Sequence, residues 1–126
     1  MGIDELLDEA RAGLERVTPV QAQAEVAARD AVLVDIRSES QRAQDGVVPD
    51  AVFIPRNVLE WRCDPSSASR DERVSDPARK LIVMCDEGYQ SSLAAATLKR
   101  LGLERATDLA GGFQAWRAAG LPVERR

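Results

Sequence analysis

The sequence predicts an α/β domain with a mostly parallel sheet, on the basis of two observations. Short apolar segments rich in β-branched residues alternate along the chain with segments in which apolar residues recur at helical spacing. The chain has 126 residues, of which 44% are hydrophobic, 30% charged and 4% aromatic, and this suits one hydrophobic core. In a domain of this class the main ligand site lies at the carboxyl ends of the strands.

The first 28 residues predict two helices. Residues 3–14 place Ile, Leu and Ala at helical spacing with acidic residues on the other faces, so we interpret residues 1–17 as an N-terminal extension built on an amphipathic helix. Thr18-Pro19-Val20-Gln21 supplies an N-cap hydroxyl, a proline at the first helical position and a glutamine at the third. This pattern predicts a second helix that runs to about Ala28.

The remaining elements follow from short apolar segments and from helical spacing. The predicted strands are Ala31–Ile36, Ala51–Ile54, Leu81–Met84 and Ala106–Leu109. Two later helices, each followed by a glycine, are predicted at Leu93–Leu101 and Phe113–Ala119, the second with Phe113 and Trp116 as core residues. Residues 61–80 are poor in apolar side chains, which predicts a long surface connection with one helical turn around residues 70–74.

The composition excludes several kinds of chemistry. The chain contains no histidine and two cysteines, so a Ser-His-Asp triad, a Cys-His pair and a zinc shell of sulfur and nitrogen ligands are all unavailable. The net charge of −4 argues against nucleic acid or an anionic membrane as a partner, and no nucleotide-binding glycine pattern is present. We therefore expect no metal and no cofactor. The acidic N-terminus, the lack of an apolar segment of about 18 residues and the absence of a disulfide framework lead us to expect a cytoplasmic protein.

Cys85 is the candidate nucleophile. It directly follows the predicted strand Leu81–Met84 and opens a short loop that closes on a helix beginning near Ser91; the loop residues are Asp86, Glu87, Gly88, Tyr89, Gln90 and Ser91. A tight loop at a helix N-terminus directs several backbone N–H groups at one spot, and together with the helix dipole it favours a thiolate over a thiol. The alternative is that Cys85 is a small apolar residue at the end of a buried strand.

Several segments of this sequence resemble the rhodanese family. Cys85–Ser92 is similar to the family's active-site loop, in which a cysteine ends a central strand and begins a six-residue loop, and Leu33–Arg37 is similar to its strand ending in Asp-x-Arg. Similarity to its Gly-His-Ile-Pro-Gly-Ala, Gly-Gly and Gly-x-Pro-Val stretches extends over Gly46–Pro55, Leu109–Trp116 and Gly120–Val123. The resemblance runs in order from about Thr18 to Val123.

The resemblance implies a fold and a reaction. The fold is a three-layer domain over residues 18–126, with a central sheet of about five mostly parallel strands and helices on both faces. The reaction is the transfer of a sulfane sulfur from a thiosulfate-like or persulfide donor, through a persulfide on Cys85, to a thiol or cyanide. The implied partners are a small sulfur donor and a thiol acceptor, which includes the thiol of another protein. Because sulfite leaves as an anion, this reaction needs no histidine as a proton donor.

Arginines near strand ends are candidates for binding an anionic donor: Arg37, Arg42, Arg56 and Arg62. The alternative for each is a solvated side chain or a weak ion pair. Asp35 is predicted to hold Arg37 or a backbone N–H in place. Asp86 and Glu87 put two carboxylates beside Cys85, and these should disfavour the thiolate and repel a dianionic donor. We therefore expect thiosulfate to be a poor donor.

Two other functions remain open at this point. The fold could serve as a binding or regulatory module, with the acidic loop and Tyr89 contacting a partner. Cys85 could act as a thiol redox sensor, with Cys63 as a resolving cysteine, although no local motif supports a role for Cys63. Cysteine phosphatases carry an arginine six positions after the cysteine, where this chain has Ser91, which argues against phosphatase chemistry.

Overall fold

Strands and helices alternate along the chain as predicted. The structure, a computed structural model, describes all 126 residues. Its elements in chain order are α1 (Ile3–Ala12), α2 (Pro19–Ala27), β1 (Ala31–Asp35), α3 (Glu39–Asp45), β2 (Val52–Phe53), a 3-10 helix (Arg56–Val58), α4 (Leu59–Cys63), β3 (Lys80–Met84), α5 (Gln90–Arg100), β4 (Thr107–Asp108) and α6 (Gly112–Ala118). None of the six α-helices combines the length and the apolar character that a membrane crossing requires.

The four strands form one parallel sheet in the order β2-β1-β3-β4. Alternate side chains of the central strands face opposite layers. Val34 and Val83 pack with residues of α4 and α5 in one core cluster, whereas Leu33 and Ile82 pack with residues of α2 and α6 in the other. The predicted three-layer α/β architecture is therefore confirmed, and Phe113 and Trp116 of α6 are core residues as predicted.

The sheet has four strands rather than the predicted five. The outer edge of the sheet, beside β4, has only a single β-bridge between Val17 and Leu109. The Val17 N–H donates to the Asp108 carbonyl at 3.1 Å, and the Ala110 N–H donates to the Val17 carbonyl at 2.8 Å. A longer strand cannot form there because Thr18 already caps α2 and Pro19 has no N–H to donate.

Two short helices and a 3-10 turn were not predicted from the sequence. Helix α3 has no apolar stripe, but Ser38 caps it and Gln41 completes a capping box, so the sequence did carry a signal. Helix α4 is a single turn that buries Leu59 and Cys63, which are four positions apart. The connection that follows contains turns, one of them closed by a hydrogen bond from the Val74 N–H to the Asp71 carbonyl at 3.0 Å. The division of the chain at residue 17 stays a prediction.

The order of the strands fixes the position of the ligand site. The chain leaves β1 toward β2 on one side and later enters β3 on the other side, so the connections after β1 and β3 diverge at the carboxyl edge. Asp35 ends β1, pairs in register with Met84, and thus stands beside the point where the loop of Cys85 begins.

Candidate active site

Cys85 lies at the carboxyl end of β3, on the sheet face that packs against α5. Its side chain is almost buried, at 3% exposure, and the Gly88 N–H donates to its Sγ atom at 3.1 Å. A shallow cleft of ≈ 370 Å³ opens over the sulfur, lined by Gln41, Cys85, Asp86, Glu87, Tyr89 and Gln90. The predicted nucleophile and most of its loop therefore meet at one opening in the surface.

The backbone N–H groups of this loop have almost no acceptors within the protein. Of the six consecutive amides from residue 86 to residue 91, that of Gly88 is bonded to the sulfur, and the other five donate to no protein atom. Two of the five belong to the first turn of α5, whose N–H groups have no intrahelical partner. A run of unpaired amides that starts next to the cysteine is suited to bind an anion.

The carbonyl groups of the loop, in contrast, are bound by neighbouring elements. The Phe113 N–H donates to the Cys85 carbonyl at 2.8 Å, and the Gln114 N–H donates to the Asp86 carbonyl at 3.0 Å. This contact requires glycine at position 112, because a Cβ atom there would lie 2.6 Å from the Cys85 carbonyl oxygen. The N-terminus of α6 therefore holds the first half of the loop.

The middle of the loop is held by two arginines that were not predicted from the sequence. Arg11 Nη2 donates to the Gly88 carbonyl at 2.8 Å, and Arg16 Nη2 donates to the same oxygen at 3.0 Å. No sequence signal marks these two residues, because their contacts join positions more than 70 residues apart.

Asp108, at the end of β4, anchors the same region and was also missed. Its fully buried carboxylate accepts hydrogen bonds from Arg16 Nε at 2.9 Å, from Ser91 Oγ at 2.8 Å and from Ser92 Oγ at 2.7 Å. A buried carboxylate is tolerated because these donors replace its water shell. The one available signal was its position at a strand end on the carboxyl edge of the sheet.

The structure gives the four predicted arginines other partners. Arg37 is 1% exposed, forms a two-point ion pair with Asp35, and stacks on Phe113 with its guanidinium carbon 3.8 Å from the ring centroid. Asp35 also accepts from the Arg37 N–H at 3.0 Å, so its predicted holding role is observed.

The other three predicted arginines do not line the cleft either. Arg42 donates to Asp35 at 3.3 Å and to Glu39 at 2.8 Å. Arg56 donates to Glu60 at 2.9 Å, and Arg62 donates to the Ser69 carbonyl at 2.9 Å. A role for these residues in donor binding stays a prediction.

The acidic side chains of the loop differ in their surroundings. Asp86 accepts a hydrogen bond from Gln114 Nε2 at 2.9 Å, whereas Glu87 is exposed and has no partner in the protein. Tyr89 is 60% exposed, and the Arg11 guanidinium carbon lies 5.7 Å from its ring centroid. Glu87 is therefore the carboxylate that is free to act on a ligand in the cleft.

Cys63 lies apart from this chemistry, at the end of α4 with its side chain in the core. Both cysteines are free thiols, but burial, with smaller contributions from Glu60 and Asp71, raises the pKa of Cys63 to about 12. Its thiol therefore stays protonated near neutral pH and is a weak nucleophile.

Comparisons with known proteins place this geometry in a family. The rhodanese-like domain profile matches residues 18–119. A sulfurtransferase from Allochromatium vinosum is 34% identical over 94 residues, which cover 75% of this chain and 78% of that protein. The thiosulfate sulfurtransferase GlpE of Pseudomonas savastanoi pv. phaseolicola is 35% identical over 104 residues, 82% of this chain and 88% of the relative.

A solved structure agrees over almost the whole chain. A Rhodopseudomonas palustris protein of unknown function, described as a possible tyrosine phosphatase, superposes with a TM-score of 0.90 at 36% identity and covers 98% of this chain and 95% of its own. The sequence match, the four-stranded parallel sheet and the cysteine loop at its carboxyl edge agree with one another, and the chain belongs to the rhodanese-like domain family.

Proposed function

We propose that this protein is a rhodanese-type sulfurtransferase in which Cys85 carries the transferred sulfur as a persulfide. The observation that carries the proposal is the run of unpaired amides that starts next to Cys85, with the Gly88 N–H donating to the sulfur, because a persulfide extends the side chain by one anionic sulfur that needs donors. The relatives named as sulfurtransferases support it.

The proposed reaction has two balanced steps. The Cys85 thiolate attacks the outer sulfur of the donor, a new S–S bond forms, and the old S–S bond breaks with its electron pair leaving on the departing group, which is sulfite when thiosulfate is the donor. An acceptor thiolate or cyanide then attacks the outer sulfur of the persulfide and releases the Cys85 thiolate. The acceptor is a small thiol or cyanide, or the thiol of another protein.

Neither step requires a proton to be delivered, which suits a chain without histidine. The loop amides stabilise negative charge on the transferred sulfur instead, and they are held in place before the donor arrives. Both cysteines are free, and we propose that the protein works in a reducing compartment such as the cytoplasm.

We further propose that thiosulfate is a poor donor compared with a persulfide. Glu87 is exposed at the cleft with no cation bound to it, and a dianion entering there meets this carboxylate at short range. Glu87→Gln removes the charge and keeps the shape, so the KM for thiosulfate should fall by roughly threefold to tenfold at low ionic strength. Glu72→Gln, at an exposed carboxylate in the surface connection, is the matched control; equal effects of the two variants would contradict the proposal.

The experiment that tests the sulfurtransferase proposal is intact-protein mass spectrometry after incubation with thiosulfate, a persulfide or a polysulfide. Wild type should gain the mass of one sulfur atom and lose it on addition of cyanide, and Cys63→Ala should behave likewise. Cys85→Ser should gain nothing. Oxygen adducts or a Cys63–Cys85 disulfide would instead indicate a redox sensor, and no adduct with any donor would indicate a binding module.

A further inference from the structure

The N-terminal segment before residue 18 contacts the active-site loop directly. Arg11 lies in the last turn of α1, and Arg16 lies in the link between α1 and α2. Both guanidinium groups donate to the carbonyl oxygen of Gly88, at 2.8 and 3.0 Å. These two arginines lie outside residues 18–119, which match the family profile, so both donors of the contact come from outside the matched region.

The two side chains are fixed by the elements that carry them. The bridge between Val17 and Leu109 sets the backbone next to Arg16, and Asp108 accepts two further hydrogen bonds from the Arg16 guanidinium, at 2.9 and 3.2 Å. On the other side, α1 packs on α5, and Arg11 Nε donates to Ser92 Oγ at 3.0 Å. Each arginine thus has a second anchor, which leaves its Nη2 directed at the Gly88 carbonyl.

Binding this carbonyl orients the next amide. The peptide between Gly88 and Tyr89 is trans and planar, so its N–H points opposite to its C=O. The Tyr89 N–H therefore points away from both arginines, and it is one of the five loop amides with no acceptor in the protein. Glycine at position 88 places few limits on rotation of this peptide, and a rotated peptide would turn the carbonyl dipole toward a ligand in place of the N–H.

The two arginines differ in whether a carboxylate neutralises their positive charge. Arg16 is paired with the buried carboxylate of Asp108, whereas Arg11 forms no ion pair. Arg11 therefore adds an unbalanced positive charge beside a loop that carries Asp86 and Glu87. A persulfide adds a negative charge to the same loop, and a partly buried cation nearby favours it.

We propose that Arg11 and Arg16 are positioning residues for sulfur transfer: by binding the Gly88 carbonyl they hold the Gly88–Tyr89 peptide with its N–H available to the anionic sulfur on Cys85. This inference rests on the proposed function for its consequence in catalysis. The arginines contact neither donor nor acceptor; they act through the loop backbone.

Arg11→Met is the main test, because Arg16→Met also leaves the buried Asp108 without its cation and lowers stability. The kcat for sulfur transfer from a persulfide donor should fall roughly tenfold in Arg11→Met, with the donor KM changed less than about twofold, since the donor does not touch the residue. Arg11→Lys keeps the charge but lacks the planar fork that joins Gly88 to Ser92, and it should recover only part of the loss. Full recovery by lysine would overturn the orienting role and leave an effect of charge alone.

Two matched controls separate positioning from general effects. Arg100→Met removes one positive charge from the far end of α5, roughly 15 Å along the helix from Gln90, and should leave kcat unchanged. Lys99→Met removes the hydrogen bond from Lys99 Nζ to the Gly13 carbonyl, which ties the same segment to α5 without touching the loop. A loss of kcat in either control equal to that in Arg11→Met would overturn the proposal.

Two further readouts do not depend on turnover. In NMR spectra, the Tyr89 amide should show one resonance in wild type and a shifted or doubled resonance in Arg11→Met. The rate of alkylation of Cys85 near neutral pH should be lower in the variant than in wild type. If wild type forms no persulfide with any donor, the proposed function fails while these two measurements still test the contact. An unchanged Tyr89 resonance together with an unchanged alkylation rate would overturn the positioning role.

Discussion

Replacement of Gly88 by alanine tests how strictly the loop backbone is held. Gly88 has a φ of +87°, in the left-handed region that costs an L-residue about 1–2 kcal/mol. A Cβ atom there would also lie 2.7 Å from the Gly111 nitrogen and 3.2 Å from the Gly112 nitrogen. These are backbone atoms of the turn that opens α6, and forcing them apart costs about 1–3 kcal/mol more.

The expected destabilisation of Gly88→Ala is therefore about 2–5 kcal/mol, which lowers Tm by roughly 8–20 °C in a domain of this size. Gly102→Ala is the matched control, because Gly102 has a φ of +97° but no heavy atom lies within 4 Å of the place where its Cβ atom would stand. It should lose only the backbone part, about 1–2 kcal/mol. The difference in destabilisation between the two variants therefore measures the contact between Gly88 and the turn at Gly111 and Gly112.

The assays are thermal unfolding followed by circular dichroism and persulfide formation followed by intact mass. Gly88→Ala should lose at least about tenfold in the rate of persulfide formation, because the amide that donates to the Cys85 sulfur moves with the residue. Gly102→Ala should keep the wild-type rate. Equal Tm values and equal rates in the two variants would refute the idea that Gly111 and Gly112 fix the loop.

Three further predictions follow from the cysteines and carboxylates. Because the pKa of Cys63 is raised to about 12, iodoacetamide should modify one cysteine of the folded protein and two after denaturation; two adducts on the folded chain would contradict this. An unfolded thiol ionises near 9.0, so the free energy of unfolding should fall by up to about 1.4 kcal/mol per pH unit from there to about 12, and Cys63→Ala should lack this slope in the same pH series. Asp108→Asn should lower the free energy of unfolding in urea by about 2–4 kcal/mol, since it leaves Arg16 without its carboxylate. Asp71→Asn breaks an exposed ion pair and should lower it by less than about 1 kcal/mol. Equal losses in the two variants would disprove the role of burial.

Local patterns in the sequence were sufficient to predict most of the fold. Hydrophobic periodicity, the cap at Thr18 and the glycines after helices depend on residues within a few positions of one another, and they predicted the alternating elements and the layered core. The same local logic placed Cys85 at a strand end before a helix and assigned Asp35 to hold Arg37. Helix α3 shows the limit of hydrophobic periodicity, because only its capping residues marked it.

The sequence by itself predicted Cys85 as the nucleophile, and it determined the loop that carries this residue and the chemistry excluded by the lack of histidine. Only the tertiary structure decided which side chains hold that loop, because Arg11 and Arg16 reach it across 77 and 72 positions and Asp108 reaches it from the end of another strand. It also decided that the outer strand is a single bridge at Val17. Contacts of this kind depend on which strand ends the topology brings together, and no pattern of neighbouring residues records that.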